Sequence, residues 1–253
     1  MQIEKGIPME RSKYLLTFVL SVFIFQSIEA DYKTDIYSAY IRGDMNKWKN
    51  IIDQMYQQKA KTNDFLLELT NYQYGYIGWS IGNHKKKEAE KYLKMVEENL
   101  NILEKANYNK SVVNSYKSAI LGFHIGLNKY KAPILGLKSI DFAKSAITLD
   151  NKNPFGYIQY GNCLFYMPSL FGGSKHEALI NFKKAEQLMQ LNENQNKYDW
   201  NYLSLLVLIG QSYLKIKDYK QAKIYFEKAI KAEPRFLWVK NELYRDVLKM
   251  IKD

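Results

Sequence analysis

The chain is poor in the residues that cross-link, break or coordinate. Among its 253 residues there is one cysteine, Cys163, so no internal disulfide can form. Five prolines, 47 % hydrophobic and 25 % charged residues exclude the composition of a largely disordered chain. The three histidines, His84, His124 and His176, lie far apart. None has the HxxxH or HExxH spacing that sets two metal ligands on one helical face. GxSxG, Walker A and CxxC are all missing. No segment alternates apolar and polar residues as a half-buried strand does. These absences point away from an enzyme and from a bound cofactor or metal, and towards an all-α protein.

What is present is a helical repeat. Leu206-x-x-Ile209-Gly210-x-x-Tyr213 is followed by Ala222-x-x-x-Phe226-x-x-Ala229-x-x-x-x-Pro234. Gly210 and Ala222 are small where two antiparallel helices cross. Tyr213 and Phe226 fill the space between them, and Pro234 stops the second helix because it has no N–H to donate. An altered copy lies upstream, with Tyr157-x-x-Tyr160-Gly161-x-x-Leu164 and then Ala178-x-x-x-Phe182-x-x-Ala185. Its turn is longer, with Pro168 ending one helix and Gly172-Gly173 before the next. Leu188–Lys197 adds a further insertion, so the two repeats stand more than the usual period of about 34 residues apart.

This pattern resembles the tetratricopeptide (TPR) repeat, with Leu206 in place of its leading Trp. The resemblance implies antiparallel helix hairpins stacked as a right-handed α-solenoid, clearest over 154–191 and 198–234, with 235–253 as a capping helix. Upstream, hairpins are expected over Tyr32–Ile41 with Asn46–Gln57, Phe65–Ile81 with Glu88–Leu103, and Val112–Leu127 with Ile134–Leu149. Gly75, Gly78 and Gly82 share a helical face, a costly choice unless another backbone presses there. Gly122 and Gly126 are read as close-packing positions too. With Asn153-Pro154 and Pro168-x-x-Phe171-Gly172-Gly173, the chain is similar to extracytoplasmic bacterial TPR proteins, including the periplasmic TPR partner of TRAP-type transporters. It departs from that partner in having no lipidated Cys.

Residues 1–30 read as a signal peptide. Lys5, Arg11 and Lys13 precede the apolar run Leu15–Phe25, and Ala30 offers a small residue at the cleavage point. The run is too short to span a bilayer comfortably, so the mature domain, 31–253, is expected to be exported, periplasmic or secreted, and not integral to the membrane. The net charge of +11 would suit an anionic partner. Its lysines are scattered, however, and an exported chain meets little nucleic acid, so nucleic acid is not the expected partner. Cys163, amid Tyr160, Leu164 and Phe165, is read as core rather than as a reactive thiol.

The resemblance places partner contacts on the concave side, lined by the first helix of each hairpin. The candidates are Tyr72, Tyr76 and Trp79 on one helix, Ile158, Asn162 and Tyr166 on a second, and Gln211 and Lys215 on a third. Rings and amides of this kind suit an extended protein or peptide segment, or a small polar solute. The Lys and Asn pairs of chaperone-binding TPR domains are not reproduced, since Tyr72 and Tyr76 hold those places. Gly172-Gly173-Ser174-Lys175 is read as a turn and capping box rather than as a phosphate loop.

Overall fold

The structure, a computed structural model, describes residues 31–191 and 197–252. The chain divides into two compact units, residues 1–32 and 33–253, and the contacts below belong to the second. The signal-peptide reading of residues 1–30 and part of the insertion before Lys197 lie outside the described residues.

Helices follow one another through short turns. They are α1 (Tyr32–Arg42), α2 (Met45–Tyr56), α3 (Asn63–Gly82), α4 (Lys86–Lys105), α5 (Lys110–Leu127) and α6 (Ala132–Leu149). Then come α7 (Pro154–Tyr166), α8 (Lys175–Gln190), α9 (Trp200–Lys215), α10 (Tyr219–Ala232) and α11 (Tyr244–Lys252). Among the described residues there is no strand. The densest packing joins α3 to α4, α5 to α6, α7 to α8 and α9 to α10. The fold is an all-α, TPR-like solenoid of helix hairpins.

Local chemistry sets the helix ends. Thr62, Asn153, Asp199 and Asp218 each cap a helix by accepting from a backbone N–H in its first turn, worth about 1 kcal/mol each. Pro154 opens α7, where its missing N–H costs nothing. The helix after Phe236 is not regular throughout, because Val239–Leu243 winds as a π-turn before α11. Phe236, Val239 and Val247 are buried beneath it.

The two repeats pack by the same device. A Cβ built on Gly210 would sit 2.5 Å from Cε1 of Phe226, and one on Gly161 would sit 2.4 Å from Cε1 of Phe182. Both rings are fully buried, so each glycine lets the Phe of its partner helix lie flat against the backbone. Ala178, Ala185, Ala222 and Ala229 are buried beside them.

The α5–α6–α7 layer is held differently. Asn153 Nδ2 donates to Ser111 Oγ at 2.8 Å and Ser115 Oγ at 3.2 Å. Ser111 Oγ donates to the Ala146 carbonyl at 2.8 Å, and Ser139 Oγ to the Ser118 carbonyl at 2.9 Å. Small hydroxyl side chains allow close approach while each buried polar group finds a partner. Cys163 is half-buried here, its Sγ 3.3 Å from Ser139 Oγ, and burial raises its thiol pKa. Gly122 has nothing within 4 Å of a built Cβ and Gly126 only Ile81 at 3.7 Å. Close packing here therefore comes from serines, not from those two glycines.

Candidate binding face

The odd-numbered helices α3, α5, α7 and α9 converge on Tyr74. Its ring centroid lies 5.9 Å from Tyr116, 5.3 Å from Phe123, 5.3 Å from Phe155 and 6.4 Å from Trp200. Trp200 continues the chain of rings to Trp48 at 5.0 Å and Tyr40 at 5.7 Å, and Tyr40 reaches Phe236 at 5.0 Å. Stacked and edge-to-face rings at these separations each add to burial. Between these helices the inner side of the stack is thus filled by aromatics, rather than open as a groove.

Gly75 belongs to this filling. A Cβ there would lie 2.7 Å from Trp200 Cη2 and 2.8 Å from Trp48 Cζ2. The close neighbour is a pair of indoles, not the backbone expected from the glycine stripe. Gly161 and Gly210 face the Phe of their own hairpin partner, whereas Gly75 faces α2 and α9. The face of α3 is therefore rotated relative to the later repeats.

Three of the expected contact residues, Tyr72 and Tyr76 on α3 and Ile158 on α7, are buried, Tyr76 to 1 % exposure. Tyr72 donates to Glu68 at 2.6 Å, and Trp48 Nε1 donates to its carbonyl at 2.9 Å. Tyr76 donates to Glu88 Oε2 at 2.6 Å and meets Tyr92 edge-on at 5.0 Å, so it belongs to the α3–α4 interior. Burial, then the Glu88 hydrogen bond, push its phenol pKa up. Ile158 is buried in the same way. Trp79 is half-buried, tilted against Tyr76, with the Lys85 ammonium 4.5 Å over its ring.

The other candidates remain accessible. Asn162 and Gln211 are half-buried, and Lys215 and Tyr166 are exposed. Gln159 Nε2 donates to Tyr74 Oη at 3.2 Å, and Asn162 Nδ2 donates to Gln159 Oε1 at 3.3 Å. Tyr74, Gln159 and Asn162 thus form a hydrogen-bonded chain from the aromatic filling, through the buried Gln159, to the half-buried Asn162. Tyr166 lies one turn beyond Asn162 at 74 % exposure. Tyr74 and Gln159 had escaped the sequence reading, because their hydrogen bond spans 85 positions and no local spacing records it.

Two other features need placing. In the α7–α8 turn, Gly172 has φ +92° and a Cβ on Gly173 would lie 1.9 Å from the Met167 carbonyl oxygen, so glycine is required at both. The N–H groups of Gly172, Gly173 and Ser174 donate to Ser169, Pro168 and Leu164 carbonyls, which leaves none to cradle a phosphate. Ser174 Oγ accepts from Glu177 N at 3.1 Å, but the reciprocal half of the expected capping box is replaced by the bond to Leu164. A cleft of about 240 Å³ between α4 and α5 is lined by Lys86, Glu90, Lys94, Glu97, His124 and Lys131, with His124 Nε2 2.7 Å from Glu97. Among the described residues, no group of three His, Cys, Asp or Glu side chains is placed to hold a metal ion.

A tetratricopeptide repeat family model matches residues 203–236. The match places one tetratricopeptide repeat over α9 and α10, within the TPR-like hairpin fold described above. Among solved structures it is similar to the HusA haemophore from Porphyromonas gingivalis, at 16 % identity and TM-score 0.58, over 76 % of this chain and 96 % of that one. A thermophilic TPR protein from Thermus thermophilus aligns over 94 % of this chain and 98 % of its own at 13 % identity, with TM-score 0.49. No curated protein matches the chain in sequence.

Proposed function

We propose that the chain is an exported, non-enzymatic scaffold that binds a protein or peptide segment on the inner face of its later repeats. Asn162, Tyr166, Gln211 and Lys215 are the contact residues, and Tyr72, Tyr76 and Ile158 support them from the core. The observation that carries this reading is Tyr166, a large amphipathic ring left 74 % exposed one turn beyond Asn162, where the Tyr74–Gln159–Asn162 hydrogen-bond chain leaves the core. Such rings supply much of the binding energy in protein interfaces. The amides can meet a peptide backbone, and Lys215 an acidic side chain. Export rests on the signal-like residues 1–30, and N-terminal sequencing of the envelope form tests it.

The binding claim is tested by photocrosslinking in the native envelope. A photoreactive residue at position 166 or 211 should capture the same partner, and one at Ile180, exposed on α8, should not. Identical capture from all three positions would overturn the reading. A second reading, a flat or polar solute stacked on the same face, is favoured by the similar fold of a haemophore and by the exposed Tyr166 ring. Haemin titration decides it: a stoichiometric Soret shift lost in Tyr166→Ala supports the solute, and its absence leaves the peptide.

A further inference from the structure

The acidic residues are unevenly spread. None occurs from Lys105 to Ile140, a stretch holding Lys105, Lys110, Lys117, Lys129, Lys131 and Lys138, and none from Asn151 to His176. Within these stretches two turns carry exposed apolar side chains. The α5–α6 turn presents Tyr130 at 94 % exposure, flanked by the exposed Lys129 and Lys131, and then Ile134, Leu137 and Lys138 on the first turns of α6. The α7–α8 turn presents Leu170 at 88 % and Phe171 beside it.

These two turns lie at one end of the layer. Ser111 on α5 bonds to Ala146 on α6, and Ser118 Oγ lies 3.2 Å from Ser139 Oγ. The two helices are therefore antiparallel, with the start of α6 beside the end of α5. Asn153, before α7, bonds to Ser111, and Cys163 on α7 meets Ser118 and Ser139, so α7 runs parallel to α5 and ends toward the same end of the layer. The end thus combines five protruding apolar side chains with Lys129, Lys131 and Lys138, none of which forms an ion pair among the described residues. The Gly172 and Gly173 geometry holds the Leu170–Phe171 tip in place, since that turn has spent its own N–H groups internally.

We propose that this end is a peripheral docking surface for an anionic lipid bilayer. The lysines meet the headgroups while Tyr130, Ile134, Leu137, Leu170 and Phe171 enter the interface. Charge complementarity selects this occupant. Protein interfaces are depleted in lysine and centre on packed, concave apolar cores, whereas lysines ringed about separate apolar tips are what an anionic membrane surface attracts. Among the described residues no helix is long and apolar enough to cross a membrane, so attachment here is by surface contact.

The test is sedimentation of residues 31–253, which contain the whole compact unit described above, with lipid vesicles. Binding is expected to vesicles of phosphatidylglycerol and phosphatidylcholine, with little to phosphatidylcholine alone, and it should fall in high salt. Replacing Lys129, Lys131 and Lys138 by Ala should weaken it about fivefold per lysine. Leu170→Ser with Phe171→Ser should weaken it about tenfold or more. Both variants alter exposed side chains only, so circular dichroism should be unchanged; Ile224→Ala, at an exposed position on α10, should bind vesicles as the unaltered chain does. No preference for the anionic vesicles, or equal binding by the lysine and tip variants, overturns the proposal. So does capture of a protein through position 171 with no vesicle binding.

Discussion

Tyr37 donates its hydroxyl hydrogen to Glu233 at 3.1 Å, across 196 positions of chain. Glu233 also accepts from the guanidinium of Arg235 at 2.8 Å and 2.9 Å. With Tyr40 against Phe236, this joins the first described helix to the turn after the last repeat. A simple stack of repeats contacts only its neighbours; here the first and last hairpins meet each other, and the inner aromatic filling follows from that closure.

The clasp makes stability acid-dependent. The Arg235 hydrogen bonds, with Tyr37 in support, lower the Glu233 pKa from 4.5 to about 2 against the opposing effect of burial. A depressed carboxylate stabilises the fold above its unfolded pKa and loses that contribution as pH falls. Denaturant midpoints should therefore drop between about pH 4.5 and pH 2, and less so in Glu233→Gln. Tyr37→Phe should cost about 1–2 kcal/mol at neutral pH. A Glu233→Gln protein with the same pH profile as the unaltered chain would refute this role.

The glycines divide by what faces them. Gly210→Ala should destabilise by about 1–3 kcal/mol, because the Phe226 ring is packed on all sides and cannot withdraw. Gly122→Ala, with open space beside it inside α5, should stabilise by about 0.5–1 kcal/mol. Urea melts of the two variants give opposite shifts, and a shift of the same sign in both would contradict the packing described.

Tyr76→Ala should cost about 3 kcal/mol or more, the expected loss of a buried aromatic. Asn162→Ala and Tyr166→Ala, at accessible positions, should each change stability by about 1 kcal/mol or less. Thermal denaturation separates the core residue from the two contact residues.

Cys163 should react slowly with a thiol reagent in the native chain and rapidly in denaturant. Burial raises its pKa, against hydrogen bonds from Ser139 and then Ser118, so little thiolate is present at neutral pH. Native labelling as fast as that of the unfolded chain would place the thiol in solvent.

The sequence by itself determined the helices, their hairpin pairing and the interior of the later repeats. The Gly210–Phe226 and Gly161–Phe182 contacts are local to a hairpin, so their spacing is written in consecutive residues. The assignment of α3 to the concave face did not follow in the same way. Tyr72 and Tyr76 stand where chaperone-binding TPR domains carry their contact residues; in the folded chain both are buried, Tyr76 in the α3–α4 interior, and Gly75 receives Trp48 and Trp200. Trp200 lies far along the chain from Gly75, and no local period records a contact of that range. Which rings fill the inner side, and which residues are left at its margin, was decided by the meeting of the first and last hairpins, through side-chain volumes that only tertiary packing brings together.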